Sequence, residues 1–360
     1  MRSIDVVSVT TLADLLRQMS HTSAQGRALG CVFEVLERMV DDPRVTIFMG
    51  TAGSLAAAGQ ARLLRWFVDH GFVDVLVTTG ANISEDLVDA LGLAMIRRPP
   101  DMDDRALRDA GYNRLYDVCV AERDYVRMTE VIADFMSTLK PETRLSSRRF
   151  LQHFGQWLAE HGTGGIVSAA AARGVPIFSP ALLDSAYGDA ALLTHRRGLS
   201  FTIDAVEDHV EFMSLDVDET AAVYLGGGVP KDFIQTFAVS TDFLLGVRDV
   251  LRRRGARRRG TLERVNCAHK YSVQITADGP HWGGSSGASL AEGVSWGKQS
   301  PGPLAVECYC DLTIALPFLA HALAETHPHR RANRNFGFDY NGSRPGPRSS
   351  QGGPSWTLKS

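Results

Sequence analysis

Short apolar runs separated by amphipathic helical stretches constrain this chain more than any other feature. "VTIFMG" (45–50) reads as a buried strand; the small-residue loop "TAGSLAAAG", the helix "QARLLRWFVDHG" and a second strand, "VDVLVTTG" (73–80), follow. The pattern returns in "VPIFSPAL" (175–182), "LSFTIDAV" (199–206), "AAVYLGGG" (221–228), "YSVQITAD" (271–278) and "LAVECYCD" (304–311), with helical segments such as "FIQTFAVSTDFLLGVRDVL" between them. Residues 120–165 read as mainly helical. Strands apolar on both faces and linked by helices belong to a parallel sheet covered on both sides. The expected fold class is α/β: a doubly wound, mostly parallel sheet with helices on both faces, Rossmann-like. The glycine fingerprint GxGxxG is absent, because "GTAGSLAAAG" has the wrong spacing.

A chain of 360 residues, 44% hydrophobic, can bury such a core without disulfide or metal staples. The expected organisation is an N-terminal segment (1–24), one catalytic domain (25–326) and a basic tail (327–360). That tail, "HPHRRANRNFGFDYNGSRPGPRSSQGGPSWTLKS", carries too little apolar surface to offset its ordering entropy and is expected to be disordered, with Phe336, Phe338 and Trp356 as candidate anchors. A net charge of -3 gives no general attraction to nucleic acid or to an anionic membrane. The basic cluster "RRRGARRRG" (252–260) therefore reads as a solvated loop rather than a phosphate-binding patch. The cysteines Cys31, Cys119, Cys267, Cys308 and Cys310 are odd in number and scattered, which suits a reducing compartment, the cytoplasm. Cys308 and Cys310 share one face of their strand and read as core residues rather than metal ligands. The N-terminus has no signal-peptide pattern, no window has the length of a transmembrane helix, and no histidine shows metal-ligand spacing.

In a doubly wound sheet ligands bind beyond the carboxyl ends of the strands. Here those ends carry "GTAGSLAAAG", "TTGANISED", "SPALLDSAYGD", "GGGVPKD", "TADGPHWGGSSG" and "CDLT". Glycines allow close backbone approach to a ligand, and amides entering helices suit a pyrophosphate. Glu85, Asp86, Asp184, Asp189, Asp232, Glu292 and Asp311 fall in the same loops. Gathered in one pocket they would repel one another unless a cation such as a polyamine joined them. Singly, each reads equally well as a solvated or helix-capping acid, and Asp86 and Asp311, at apparent helix starts, are the clearest caps. "EGVSWGKQS" (292–300) places Lys298 beside Trp296 with almost no neighbouring charge. An amine nucleophile must be neutral, and burial against Trp296 and Val294 would favour that form; an exposed loop lysine is the plainer reading of the spacing. His281, next to Trp282, is the one histidine placed to move a proton there.

"EGVSWGK" resembles the lysine motif of the deoxyhypusine synthase family, EAVSWGK. "VDVLVTTGANISEDL", "FSPALLDSAYGD", "YLGGGVPKD" and "SGASLAEGVSWGK" follow that family's pattern in order, covering about residues 30–326. The resemblance implies an NAD-dependent enzyme with spermidine as 4-aminobutyl donor. Lys298 would attack the imine formed from spermidine, release 1,3-diaminopropane and carry the butylamine to an acceptor amine. By motif, NAD would be held by Gly53, Ser54, Leu55, Ala56, Ala57, Thr79, Gly80, Ala81, Asp184, Gly227, Ala277, Asp278, Asp311 and Leu312. The amine would be held by Glu85, Asp189, Glu292 and the face of Trp296, beside Gly283 and Gly284. The family forms homotetramers with sites at subunit interfaces. No metal is implied.

Three positions depart from the eukaryotic pattern: Ser84 precedes Glu85 in place of a second glutamate, Asp232 stands in place of a histidine, and Ser285 in place of an aspartate. All three belong to the family's polyamine site. The chain is thus similar to the bacterial deoxyhypusine synthase-like branch, some members of which resemble homospermidine synthases that use putrescine as acceptor. The acceptor is a small diamine or a translation-factor lysine, with the redrawn amine site favouring the diamine. The rival reading is a non-catalytic NAD-binding paralogue that regulates a partner subunit; retention of Lys298 and Trp296 argues against it.

Overall fold

The computed structural model describes residues 1–141, 143–244, 268–302, 304–332 and 334–338. Numbering only the strands of the central sheet, these are β1 (Val45–Thr51), β2 (Val75–Thr78), β3 (Ile177–Phe178), β4 (Glu219–Leu225), β5 (Tyr271–Thr276) and β6 (Ala305–Tyr309). They lie in the order β6-β5-β4-β1-β2-β3 with every neighbouring pair parallel. This is the strand order of the doubly wound dinucleotide-binding fold, in which the chain reverses direction between β1 and β4. Loops leaving adjacent strands to opposite faces open a crevice there.

The sheet is apolar on both faces because helices cover both. All seven residues of β1 are buried. On one face its Ile47 and Met49 pack with the helices Ala24–Asp41, Ala61–Asp69 and Leu312–Thr326. On the other, Phe48 meets Phe212 and Phe237 at ring-centroid distances of 5.5 and 5.3 Å, beside Ile234. Burying each such side chain contributes about 1.5–3 kcal/mol. Gly50 lets the helix Gly228–Leu244 lie close over β1, since a Cβ there would come within 3.1 Å of Ile234.

Three features differ from the sequence expectation. The run 199–206 does not join the central sheet: its core, Phe201–Ile203, pairs with Thr143–Leu145 in a separate two-stranded sheet. There Asp204 ends the strand by capping the helix Ala205–Met213, accepting from the amides of Val206 and Glu207. A three-stranded antiparallel sheet of Met95–Arg97, Tyr112–Leu115 and Val118–Ala121 appears where no strand was expected, because these short segments are mostly half-buried or exposed and lack a clean apolar alternation.

The third difference is a correction at the tail. Residues 327–332 and 334–338 lie against the domain rather than free in solvent. The Arg331 amide donates to the His70 carbonyl at 2.9 Å, and its guanidinium donates to buried Asp74 at 2.7 Å and to the Val45 carbonyl at 2.6 Å. Phe336 and Phe338 pack beside the aromatic core, and the Arg148 guanidinium sits 4.0 Å from the Phe338 ring centroid. Specific polar anchoring thus orders a segment whose composition alone argues for disorder. The remainder of the tail, the cluster 252–260 and Cys267 lie outside the described residues. The N-terminal segment also joins the core: the helix Leu12–Ser20 has a capping box from Thr11 and Asp14 and buries Ala13 and Leu16. Among the described residues no helix is long and apolar enough to cross a membrane.

Candidate functional site

The loop after β1 enters the crevice tied to both neighbours. The Ala52 amide donates to Leu225 at the end of β4 (2.9 Å). Thr79, which caps the helix Gly80–Ala90, donates through Oγ1 to the Gly53 carbonyl at 2.7 Å. Gly53 takes φ +66 with open space where a Cβ would stand, a conformation that leaves its backbone accessible to a ligand. Ser54 is half-buried and Leu55, Ala56 and Ala57 are buried behind it. The cross-brace is Asn82, fully buried: Oδ1 accepts from the Leu55 amide at 2.7 Å, and Nδ2 donates to Thr79 Oγ1 at 3.1 Å. The sequence reading passed over Asn82, although a polar run, Asn82 to Asp86, inside a helix leading out of a buried strand was its signal. Gly80 brings the next loop in, because a Cβ there would lie 2.4 Å from Ser185 Oγ. Ala81 is half-buried and Asp184, in that incoming loop, is exposed.

Across the crevice, Gly227 presses the loop 283–287 against the end of β4: a Cβ at this position would fall 2.4 Å from Ser286 Cα. Gln274 of β5 locks the contact, donating to the Gly226 carbonyl at 3.0 Å and to the Ser286 carbonyl at 2.7 Å. Its Oε1 accepts from Lys231 Nζ at 2.8 Å, and Lys231 also donates to the Ala288 carbonyl. Lys231 is almost wholly buried and was not foreseen; burial holds its pKa below that of an ordinary lysine, against the pull of Glu307 and Asp232. Asp232 is half-buried, while Ala277, Asp278, Gly283, Gly284 and Ser285 are exposed on the rim, and Leu312 is half-buried.

The acids divide by environment. Glu85 is 6% exposed, its Oε2 has no partner, and burial pushes its pKa up to about 7. Asp189 is exposed in the first turn of Ala186–Arg196. Burial, with the charges of Glu85 and Asp189, raises the Tyr125 phenol, so the two acids act on one side chain. Ser84 is buried and donates to Ala81 of its own helix at 3.2 Å. Asp311 is an N-cap, accepting from the Thr313 amide at 2.7 Å, and the Thr313 hydroxyl and amide hold its pKa down. Asp86 is not a cap of its own helix. It lies in the second turn, and its Oδ2 accepts from the Ile166 amide at 2.6 Å, capping the helix Ile166–Arg173 instead; burial raises its pKa to about 6.

Lys298 follows the short helix Leu290–Ser295, which Ser289 caps by accepting from the Glu292 amide. The Lys298 amide donates to Gly293 at 2.9 Å and its carbonyl accepts from His269 at 3.1 Å, fixing the backbone on both sides. Nζ sits 5.6 Å from the Trp296 ring centroid. The expected dry surroundings are not complete within one chain: Lys298 is half-buried, Trp296 is 63% exposed, and Glu292 is exposed. His281 is exposed too and packs against Trp282 with the rings tilted, their centroids 4.6 Å apart. Among the described residues the predicted site falls into two groups. Ala56, Ala57, Glu85 and Asp311 line one cleft of about 660 Å³. Lys298, Glu292 and Asp232 are close enough for their charges to act on Lys231, beside Gly227 and the 283–287 loop. At the end of β6, Cys308 and the following Cys310 lie 3.6 Å apart, sulfur to sulfur, with Cys308 buried.

Fold and candidate site together define a doubly wound α/β protein with a crevice at the switch point of its sheet, where the buried carboxylate Glu85 lines one cleft and Lys298 lies in the second group of candidate residues. The sequence profile of deoxyhypusine synthase matches residues 14–323. The chain is 38% identical over 305 residues to "Probable deoxyhypusine synthase 2" of Archaeoglobus fulgidus, covering 85% of this chain and 95% of that one. It is 31% identical over 314 residues to a "Deoxyhypusine synthase-like protein" of Coxiella burnetii, covering 85% and 84%. A crystal structure from Entamoeba histolytica assigned to deoxyhypusine synthase superposes with a TM-score of 0.55 at 15% identity, covering 93% of this chain and all of that one, which supports the fold. The chain belongs to the deoxyhypusine synthase family, whose activity is that of a transferase.

Proposed function

We propose that the chain is an NAD-dependent aminobutyltransferase that forms a covalent intermediate on Lys298 and passes the 4-aminobutyl group of spermidine to an amine acceptor. The observation that carries this is the placement of Lys298: its ammonium lies over the Trp296 ring, on a segment whose preceding loop Gly227 and Gln274 fasten to the switch-point crevice. The crevice suits a dinucleotide. Gly53 offers open backbone in a left-handed conformation, and a side chain at Gly227 would fill the space that the 283–287 loop uses. Gly53 to Ala57 and Thr79 to Ala81 would hold NAD, with Asp184, Gly227, Ala277, Asp278, Asp311 and Leu312 around it. When bound, NAD supplies reversible hydride acceptance at the carbon beside the donor amine.

The residues of the chain do the rest. Glu85, Asp189 and Glu292 neutralise the donor ammoniums, and Trp296 covers one of them with its π face. Lys298 Nζ, as the free amine, attacks the donor imine carbon; the C–N bond to 1,3-diaminopropane breaks, and that product leaves with the proton. The butylamine stays on Lys298 as an imine until an acceptor amine displaces it. The exposure of Trp296 and Trp282 and the half-burial of Lys298 fit a homo-oligomer, a tetramer in the family pattern, whose neighbouring subunit excludes water from the lysine. Ser84, Asp232 and Ser285 favour a small diamine such as putrescine, giving homospermidine, over a protein lysine. The test is borohydride trapping with NAD and spermidine followed by peptide mass spectrometry, with and without putrescine. The expected result is an aminobutyl adduct on Lys298, absent in Lys298→Arg, that putrescine discharges as homospermidine. No adduct and no 1,3-diaminopropane would leave the NAD-binding paralogue as the better account.

A further inference from the structure

Strand β6 ends at Tyr309, and the chain bends at Cys310 before Asp311 opens the helix Leu312–Thr326. On a straight strand, residues two apart share a face with their Cα atoms about 6.6 Å from each other, near the upper limit of what a disulfide spans. With the bend, the sulfurs of Cys308 and Cys310 lie 3.6 Å apart. The two thiols are unequal. Cys308 is fully buried, and its sulfur lies 3.8 Å from the Gln25 carbonyl. Cys310 is half-buried and meets solvent. The Cys308 thiol donates to Cys310 and so holds the Cys310 pKa below that of an ordinary thiol, against the effects of burial and of Asp311. The same hydrogen bond, with burial, pushes Cys308 up. One sulfur is accessible and readily ionised; the other waits beside it, protonated and shielded. An attacking cysteine and a resolving cysteine divide their work in this way.

Bonding the pair would draw the sulfurs from 3.6 Å to about 2.05 Å. Cys308 is poorly placed to supply that movement, being packed in the core and paired with Ile275 of β5. Tyr309 is tied as well, its amide donating to Gln25 Oε1 at 2.7 Å. The shift therefore falls on Cys310 and Asp311. Asp311 caps the following helix by accepting from the Thr313 amide, and it lines the 660 Å³ cleft with Ala56 and Ala57. We propose that Cys308 and Cys310 form a thiol–disulfide site that low-molecular-weight disulfides oxidise, and that its closure lowers the affinity of the crevice for NAD. The second half rests on the NAD reading of the crevice. The Cys310 thiolate attacks one sulfur of the small disulfide, forming a mixed disulfide and expelling one small thiolate. Cys308 then attacks the Cys310 sulfur, and the second small thiol leaves with the Cys308 proton. Two protein thiols are oxidised and one external disulfide is reduced, a two-electron exchange that needs no other oxidant. Transient bonds of this kind are the ones a reducing compartment allows.

The test is equilibration of the full-length protein in buffers of oxidised and reduced glutathione, with and without NAD, followed by alkylation, tryptic digestion and mass spectrometry. Cleavage after Lys298 and Arg330 leaves one peptide, 299–330, that holds these two cysteines and no other. From the oxidised parent that peptide should appear unalkylated and two hydrogens lighter, and dithiothreitol should reverse the change. Cys308→Ala should stop at a glutathione adduct on Cys310, and Cys310→Ser should leave Cys308 unmodified; a thermal melt of each checks that it is folded. Calorimetry should show the oxidised parent binding NAD about tenfold more weakly than the reduced one, and linkage then requires NAD to shift the glutathione equilibrium toward the thiols by the same factor. Cys310→Ser should bind NAD equally in both buffers. A parent that stays reduced, keeps glutathione on Cys310 or cross-links to another cysteine overturns the proposal, as does equal NAD affinity in the two redox states. The readings fail separately: a parent that closes the bond but binds NAD in neither state removes the cofactor reading and the coupling with it, while the thiol–disulfide site stands.

Discussion

Replacing Glu85 by glutamine should make the free protein more stable at neutral and alkaline pH, in a way that pH itself reveals. The carboxyl is buried with one oxygen unpartnered, and its pKa is raised from 4.5 to about 7. Below pH 4.5 the group is protonated in both folded and unfolded chains and costs nothing. As pH rises the unfolded chain releases its proton first, so folding becomes less favourable, and the penalty levels off above pH 7 at roughly 3 kcal/mol. A glutamine keeps the shape and cannot ionise. Its amide still has to be desolvated, which costs about 1–2 kcal/mol at every pH. The expected difference in unfolding free energy therefore runs from slightly unfavourable to the variant at pH 4.5 to favourable by about 1–2 kcal/mol at pH 8. Urea unfolding of both proteins at matched concentration across that range measures it. A difference that stays constant with pH would refute the reasoning, because Glu85 would then be ionised normally in the folded state. A bound ammonium should reverse the effect: with a diamine present the parent, but not Glu85→Gln, gains stability, and binding to the parent at pH 6–7 releases protons that calorimetry in buffers of different ionisation enthalpy will count.

Asn82→Ala removes the acceptor of the buried Leu55 amide and the brace to Thr79; it should cost about 1–3 kcal/mol by thermal or urea unfolding and weaken NAD binding, read by fluorescence titration, by about tenfold or more. Arg331→Ala strips Asp74 of its buried partner and should destabilise the protein by about 3–5 kcal/mol at pH 8. Burial already raises Asp74, so the loss should shrink as pH falls and the carboxyl protonates, and Asp74→Asn on the same background should recover much of it.

The sheet was legible because its signal is redundant. Six apolar runs with helices between them specify a parallel, doubly covered sheet even when a boundary is misplaced, and β3 shrank to Ile177–Phe178 without altering the topology. The run 199–206 has the same apolar look but met a different partner, since Asp204 stops the strand after Ile203 and starts a helix. Local composition does not encode which edge a short strand reaches.

Candidate site residues are legible where a residue type is chemically demanding and unreadable where the role depends on distant chain. Lys298 beside Trp296 could be singled out from seven residues of sequence. Asp86 could not be told from a cap of its own helix, because its hydrogen-bond partner, the Ile166 amide, lies eighty residues away. Lys231 hid for the same reason: only the meeting of β5 with the 286–288 loop supplies Gln274 and the Ala288 carbonyl to a buried ammonium. These cases share one cause. A polar group can be buried only when its partners arrive with it, so the residues that build this crevice are visible in proportion to how many of those partners are close in sequence. Of the two halves of the candidate site, the lysine segment is self-contained and is proposed from its motif. The cleft is assembled from the ends of β1, the helix after β2, the 112–121 hairpin and the helix after β6, and it emerges only once the sheet has brought them together.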